Sequence, residues 1–116
     1  MYNIVGQSIW LTRGDSFSAE ISPQLNDTTY TPLEGDVIKF YLKRNLIKLD
    51  NSGYVDANPL IQKTIPNDTM ILEISPSDTK QLAFGDYVYD VELTYADGTV
   101  DTFINNALFK IVPEVD

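Results

Sequence analysis

The fold class of this 116-residue chain is decided by one stretch, Tyr87-Val88-Tyr89-Asp90-Val91-Glu92-Leu93-Thr94-Tyr95, and by the Asp97-Gly98 pair that follows it. Apolar side chains recur there at every second position, which predicts a β-strand with one buried face. Asp97-Gly98 is typical of a tight hairpin turn, because such turns need a positive φ that glycine permits. We therefore predict that 87–95 and 99–104 are antiparallel neighbours.

The same two-residue period recurs along the rest of the chain, with turn-forming residues between the periodic segments at the spacing of an all-β sandwich. A short helical turn near 76–83 interrupts it, since Ser75 can cap a helix that has Pro76 at its first position. Prolines on both sides of 60–65 predict a short edge strand. The remaining predicted strands are 4–11, 16–22, 37–43, 70–74 and 107–112.

Tyr87 lies where the turn segment ends and the strongest strand begins, after Leu82 and Gly85. This arrangement resembles the tyrosine corner of immunoglobulin-like sandwiches, in which the tyrosine hydroxyl bonds to upstream backbone. The length predicts a single domain over 1–116, and the periodic segments predict about seven or eight strands. With them, the resemblance implies an immunoglobulin-like β-sandwich of antiparallel strands. In that topology 37–43 and 87–95 are neighbours, which places two lysines near two carboxylates on the outer face: Lys39, Lys43, Asp90 and Glu92.

Composition excludes most catalytic chemistry. The chain has no histidine and no cysteine, so thiolate and imidazole metal sites, thiol nucleophiles and the Ser-His-Asp arrangement cannot form. It also contains no phosphate-cradling glycine loop. We expect neither enzymatic activity nor a cofactor.

The charge balance bears on partners. A net charge of −9 argues against nucleic acid, because neutralising phosphates needs clustered Lys and Arg. The excess lies late in the chain: residues 1–53 carry 5 basic and 6 acidic groups, and residues 54–116 carry 3 and 11. The sequence shows no secretory signal and no apolar run long enough to cross a bilayer. We expect a protein that is made in the cytoplasm and does not bind membranes.

Three weaker patterns could mark binding sites. Arg13-Gly14-Asp15 is an integrin-type tripeptide, although its residues also suit a turn. The polar segment 50–58 could offer oxygen ligands to calcium, but it lacks the spacing of an EF-hand, and we assign no metal site. Three tyrosines lie in loops or on the polar phase of a strand and could stack on sugars or mark a protein interface: Tyr30, Tyr41 and Tyr54.

Several segments, in order, resemble small virion-associated proteins of tailed bacteriophages and prophages. The similarity spans 12–112 and is carried by Arg13-Gly14-Asp15-Ser16-Phe17, Gly35-Asp36-Val37-Ile38-Lys39-Phe40, Leu60-Ile61-Gln62-Lys63-Thr64-Ile65, Ile74-Ser75-Pro76-Ser77-Asp78-Thr79, Gly85-Asp86-Tyr87-Val88-Tyr89-Asp90-Val91 and Phe109-Lys110-Ile111-Val112. It implies a component of the baseplate, tail or head-decoration region, with other virion proteins as partners and no catalytic residues.

These observations predict a non-enzymatic structural or interaction module of a phage or prophage particle. Self-association is a further expectation, because unpaired strand edges invite pairing. The alternative is a carbohydrate-binding or adhesion domain that contacts the surface of a bacterial host.

Overall fold

A computed structural model describes residues 2–25, 28–44 and 59–113. Almost all regular structure in these ranges is β, which confirms the predicted all-β class. The elements are β1 (Tyr2–Val5), β2 (Ser8–Thr12), β3 (Phe17–Glu20), β4 (Gln24–Leu25), β5 (Thr28–Thr29), β6 (Val37–Arg44), β7 (Ile61–Ile65), β8 (Ile71–Ile74), α1 (Pro76–Thr79), β9 (Gly85–Thr94) and β10 (Val100–Val112).

The strands form one large sheet and two small ones. The large sheet has six strands in the order β1-β2-β10-β9-β6-β7, β3 pairs with β8, and β4 pairs with β5. The predicted hairpin is confirmed, because β9 and β10 are antiparallel around the Asp97-Gly98 turn, with Val100 opposite Thr94. The predicted edge strand 60–65 is also confirmed, since β7 is the outermost strand of this sheet among the described residues.

The predicted strand pattern is wrong in three places. Segment 4–11 is two antiparallel strands, because Gly6 has φ +59° and reverses the chain between them. Segments 99–104 and 107–112 are one strand, β10. The prediction of antiparallel strands only fails at β2 and β10, which run parallel. The helix is shorter than expected, ending at Thr79.

Two bulges explain why β10 reads as two strands in the sequence. The β9–β10 register shifts between Thr102 and Ile104 and again between Ile104 and Ala107. At the second shift Asn106 has φ +52°, and its backbone N–H donates to Asp90 at 2.7 Å. The Lys43 ammonium also binds Asp90, so the strand continues around an extra residue that is held by a carboxylate.

The core lies between the large sheet and the β3–β8 pair. Alternate residues of the central strands point into it, as the two-residue period predicts. Its largest fully buried members include three aromatic rings, Phe40, Tyr89 and Phe109, whose centroids lie 5.5 to 6.1 Å apart. Buried aliphatic side chains complete it: Ile9, Leu11, Ile38, Leu42, Ile61, Ile65, Leu72, Ile74, Val91, Leu93 and Ile111.

Candidate interaction surface

Tyr30, a candidate for stacking on a ligand, is half-buried and occupied within the protein. Its ring meets Tyr95 edge-on at 5.8 Å, and it packs against the core. Its hydroxyl donates to Asp36 at 2.6 Å. This hydrogen bond, with burial as the second cause, raises the pKa of Tyr30 to about 12.

Asp36 is the residue that holds the Tyr30 hydroxyl in place. The carboxylate is buried, with 6% of the residue exposed, and it also accepts the backbone N–H groups of Leu33 at 2.9 Å and Ala96 at 3.2 Å. The hydroxyl of Tyr30 and then the N–H of Leu33 hold the pKa of Asp36 below its usual value. The group therefore ties the start of β6 to the β9–β10 turn, which is a structural function.

Tyr41 lies on the opposite side of the large sheet from Tyr30. It occupies the half-buried phase of β6, between the core residues Phe40 and Leu42, and its hydroxyl donates to Glu92 at 3.0 Å. Burial and then this bond raise the pKa of Tyr41. The two described tyrosines thus do not share a face.

The neighbours of Tyr41 complete a row of paired charges across β6 and β9. Lys39 stands opposite Glu92 in the strand register, and Lys43 binds Asp90, as the sequence predicted for neighbouring strands. Such pairs across a sheet contribute a few tenths of a kcal/mol. On this polar outer face, Tyr41 and Lys43 both bind carboxylates of the neighbouring strand.

Tyr54 and the possible calcium segment 50–58 lie outside the described residues. Within the described ranges, no group of three or more acidic side chains could hold a metal ion. Nor does any helix there combine the length and apolar character that crossing a bilayer requires.

Tyr87 makes a hydrogen bond of the kind expected at a tyrosine corner. Its hydroxyl donates to the carbonyl oxygen of Ala83 at 2.7 Å, four residues upstream. Burial raises the pKa of Tyr87, against opposing effects of Arg44 and this backbone contact. The bond fixes the segment between α1 and β9 before the chain enters the large sheet.

The Arg13-Gly14-Asp15 tripeptide is built into a packed turn. The guanidinium of Arg13 lies 4.1 Å from the centre of the Phe84 ring, and the N–H of Gly14 donates to the buried hydroxyl of Thr79 at 3.0 Å. The N–H of Asp15 donates to the Thr12 carbonyl oxygen at 3.0 Å. These contacts give the tripeptide a structural role, in forming and packing the turn.

The surface that sequence reasoning missed is β1, whose four residues are all exposed. The exposed fractions are 41% for Tyr2, 42% for Ile4 and 61% for Val5. A signal was available, since residues 1–12 contain no Asp, Glu, Lys or Arg, in a chain of net charge −9. We define this strand, Tyr2–Val5, as the β1 edge.

An apolar groove lies directly beside the β1 edge. It has a volume of about 230 Å³ and opens where the β1–β2 turn, β3 and the bulged part of β10 meet. Glu20 is the charged residue in its lining. The apolar walls are formed by Ile4, Ile9, Phe17, Ile21, Phe103 and Ile104.

No protein family, curated protein or solved structure was found to match the chain.

Proposed function

We propose that the chain is a non-enzymatic structural or interaction module of a tailed-phage or prophage particle. The observation that carries the proposal is the β1 edge, an exposed and uncharged strand on an otherwise acidic molecule. Proteins normally protect such edges, and an unprotected one is suited to contact with another protein. The resemblance of residues 12–112 to small virion-associated proteins is the reason for placing the module in a phage particle.

The polar groups of the described residues support a role in assembly over catalysis. Asp36, Asp78 and Asp90 each accept hydrogen bonds that fix a turn, a helix start or a bulge. Glu92 accepts from Tyr41, and Asp101 accepts from Tyr95 at 2.8 Å. Carboxylates engaged in this way hold the fold together, whereas a catalytic acid needs a cleft in which substrate can reach it.

The proposal includes an immunoglobulin-like arrangement of the sandwich. Its support is the pairing of β3 with β8 against a sheet in which β9 lies between β6 and β10. The hydroxyl of Tyr87 on Ala83 adds to it. Rigid sandwiches of this kind present strand edges and loops at fixed positions, as a particle component must.

Mass spectrometry of purified particles tests the proposed function. Particles induced from the strain that encodes the chain should contain it at a stoichiometry that stays constant through density-gradient purification. Abundant host cytoplasmic proteins, which fall away during the gradient, provide the control. If the chain falls away with them, it is not a virion component and the proposal fails.

A further inference from the structure

The free strand edges of the described residues differ in how they are protected. β7 lies between Pro59 and Pro66 and carries Lys63, whose side chain points to the same face as Ile61 and Ile65. β3 ends in Glu20, and β8 carries Glu73. The part of β10 that extends past β2 has two bulges and Asp101. Charges, prolines and bulges are the devices that prevent edge-to-edge pairing.

The β1 edge has none of these devices. Tyr2-Asn3-Ile4-Val5 contains no charge and no proline, and its register with β2 runs without a bulge. Its outer side faces no other described strand. An apolar, unprotected edge of this kind is a template for a further strand.

The edge is also held in position by the rest of the fold. The Tyr2 ring lies 4.7 Å from the Phe17 ring, and its hydroxyl donates to the carbonyl oxygen of Ser18 at 2.7 Å. From the core, the Tyr89 hydroxyl donates to the carbonyl oxygen of Gln7 in the β1–β2 turn. A strand fixed in this way loses little further conformational entropy when a partner binds.

The turn geometry determines which backbone groups of β1 point outward. Gly6, with φ +59°, is the first of two turn residues, as in a type II′ hairpin. The closing pair Val5–Ser8 and the pair Asn3–Trp10 then exchange hydrogen bonds within the hairpin. Because bonded and non-bonded pairs alternate, the N–H and C=O groups of Tyr2 and Ile4 point away from β2.

We propose that the β1 edge pairs with the β1 edge of a second copy of this chain, antiparallel about a two-fold axis at Asn3. Tyr2 of each copy then lies opposite Ile4 of the other, and the two exchange about four backbone hydrogen bonds in all. Asn3 faces its own symmetry mate as a non-bonded pair. The two large sheets become one continuous sheet.

Charge favours a second copy over a basic partner. Two molecules of net charge −9 repel one another least when they meet through the segment 1–12, which has no charged side chain. A basic strand would find no carboxylate on that segment to bind. The edge is only four residues long, so it buries less than the ~1,200 Å² of a stable interface, and the dimer should be weak and concentration-dependent.

A cysteine cross-link tests the register. The chain has no cysteine, so Asn3→Cys introduces a single thiol. Opposite residues of a non-bonded antiparallel pair have Cα atoms about 4.5 Å apart, within the range that a disulfide spans. With oxidised glutathione as the electron acceptor, Asn3→Cys should form a covalent dimer at least about tenfold faster than Leu33→Cys. Leu33 is a suitable control because it is 66% exposed and precedes β6, which β2, β10 and β9 separate from β1 in the large sheet.

A matched pair of charge variants tests the association itself. Val5→Lys and Leu33→Lys alter residues of similar exposure, 61% and 66%, and each makes the net charge one unit less negative. In sedimentation equilibrium, the wild type and Leu33→Lys should dimerise with similar constants, and Val5→Lys should be monomeric. Circular dichroism checks that both variants fold.

Two outcomes would overturn the inference: a wild type that stays monomeric at about 1 mM, or equal cross-linking of the two cysteine variants. The inference goes beyond the proposed function and does not depend on it, since particle proteomics can succeed whether or not the purified chain dimerises.

Discussion

The two edge strands of the large sheet are held by different forces. At one end, β7 points Ile61 and Ile65 into the core, with 6% and 1% exposed. At the other end, β1 leaves its side chains exposed and is fixed by hydroxyl-to-carbonyl hydrogen bonds from Tyr2 and Tyr89. Burial is worth more than a single net hydrogen bond, so β7 belongs to the stable core and β1 is the more easily opened edge.

The same contrast appears in how each edge meets its surroundings. Lys63 of β7 points toward α1 and binds Asp78 at 2.9 Å, which places a charge on the inner side of the edge. On the inner side of the β1 edge there is an apolar groove in place of a charge. β7 therefore carries a charge that disfavours pairing with a further strand, and β1 carries none.

The largest expected effect is on stability. Ile65→Ala should lower the free energy of unfolding by about 3 kcal/mol, because it removes a buried side chain and leaves a cavity. Ile4→Ala, at a residue that is 42% exposed, should cost less than about 1 kcal/mol. Urea denaturation of both variants measures the difference. Equal losses would contradict the contrast between the edges.

High pH should weaken the β1 attachment. Burial raises the pKa of Tyr89 to about 12, above its usual value of 10.0. Because the pKa is raised in the folded state, the stability that the neutral Tyr89 hydroxyl contributes is complete below pH 10. It is lost as pH rises toward 12. We expect the gap in unfolding free energy between the wild type and Tyr89→Phe to change by about 2 kcal/mol across that window, in denaturant titrations at each pH. A constant gap would argue against the shifted pKa.

At neutral pH, Tyr89→Phe should cost about 1 kcal/mol, because it removes the hydrogen bond to the Gln7 carbonyl oxygen. Amide exchange should accelerate in β1 while β7 keeps its protection. The matched control is Tyr95→Phe, whose lost bond to Asp101 lies at the β9–β10 turn. Faster exchange in β1 for both variants would show that the Gln7 contact has no special effect.

An effect of similar size is expected beside β7, where the carboxylate of Asp78 binds Lys63. Asp78→Asn should cost about 1 kcal/mol, since the carboxylate accepts the N–H of Ser75 at 2.8 Å and binds Lys63. Burial alone would raise the pKa of Asp78, but the bonds from Lys63 and Ser75 outweigh it and hold the pKa low. Its contribution is therefore present above the unfolded pKa of about 3.9 and lost as pH falls through the folded value.

Thermal unfolding of wild type and Asp78→Asn at a series of acidic pH values checks this. The difference in melting temperature between the two proteins should begin to shrink as pH falls below about 4 and vanish below the folded-state pKa of Asp78. A difference that persists unchanged at pH 2 would show that the carboxylate charge is not what stabilises α1.

The parts of the fold that the sequence predicts are those whose signal is local. The alternation in 87–95 and the Asp97-Gly98 turn identify the β9–β10 hairpin, and the prolines around 60–65 identify the β7 edge. Each of these depends on neighbouring residues in the chain, which a reader of the sequence can see.

The parts that it does not predict depend on distant contacts. The parallel pairing of β2 with β10 joins residues about a hundred positions apart, and no local pattern encodes it. The continuity of β10 depends on Asp90 receiving the Asn106 N–H. The sequence identifies Tyr30 only as a loop residue, and its hydrogen bond to Asp36 becomes visible in the structure.

The candidate surface was missed for a related reason. An edge strand is defined by the absence of a neighbour, and alternation alone does not report which strand lies outermost. The uncharged run 1–12 was visible, but only the position of β1 beyond β2 gives it a meaning.

The parallel β2–β10 pair has a mechanical consequence. Tension applied toward the start of β2 and toward the end of β10 pulls the two strands past one another along their length. The evenly spaced rungs of a parallel ladder then share the load and must break nearly together, whereas a hairpin opens one rung at a time. Force that passes through the molecule along this path would therefore meet more resistance than force that opens the β9–β10 hairpin.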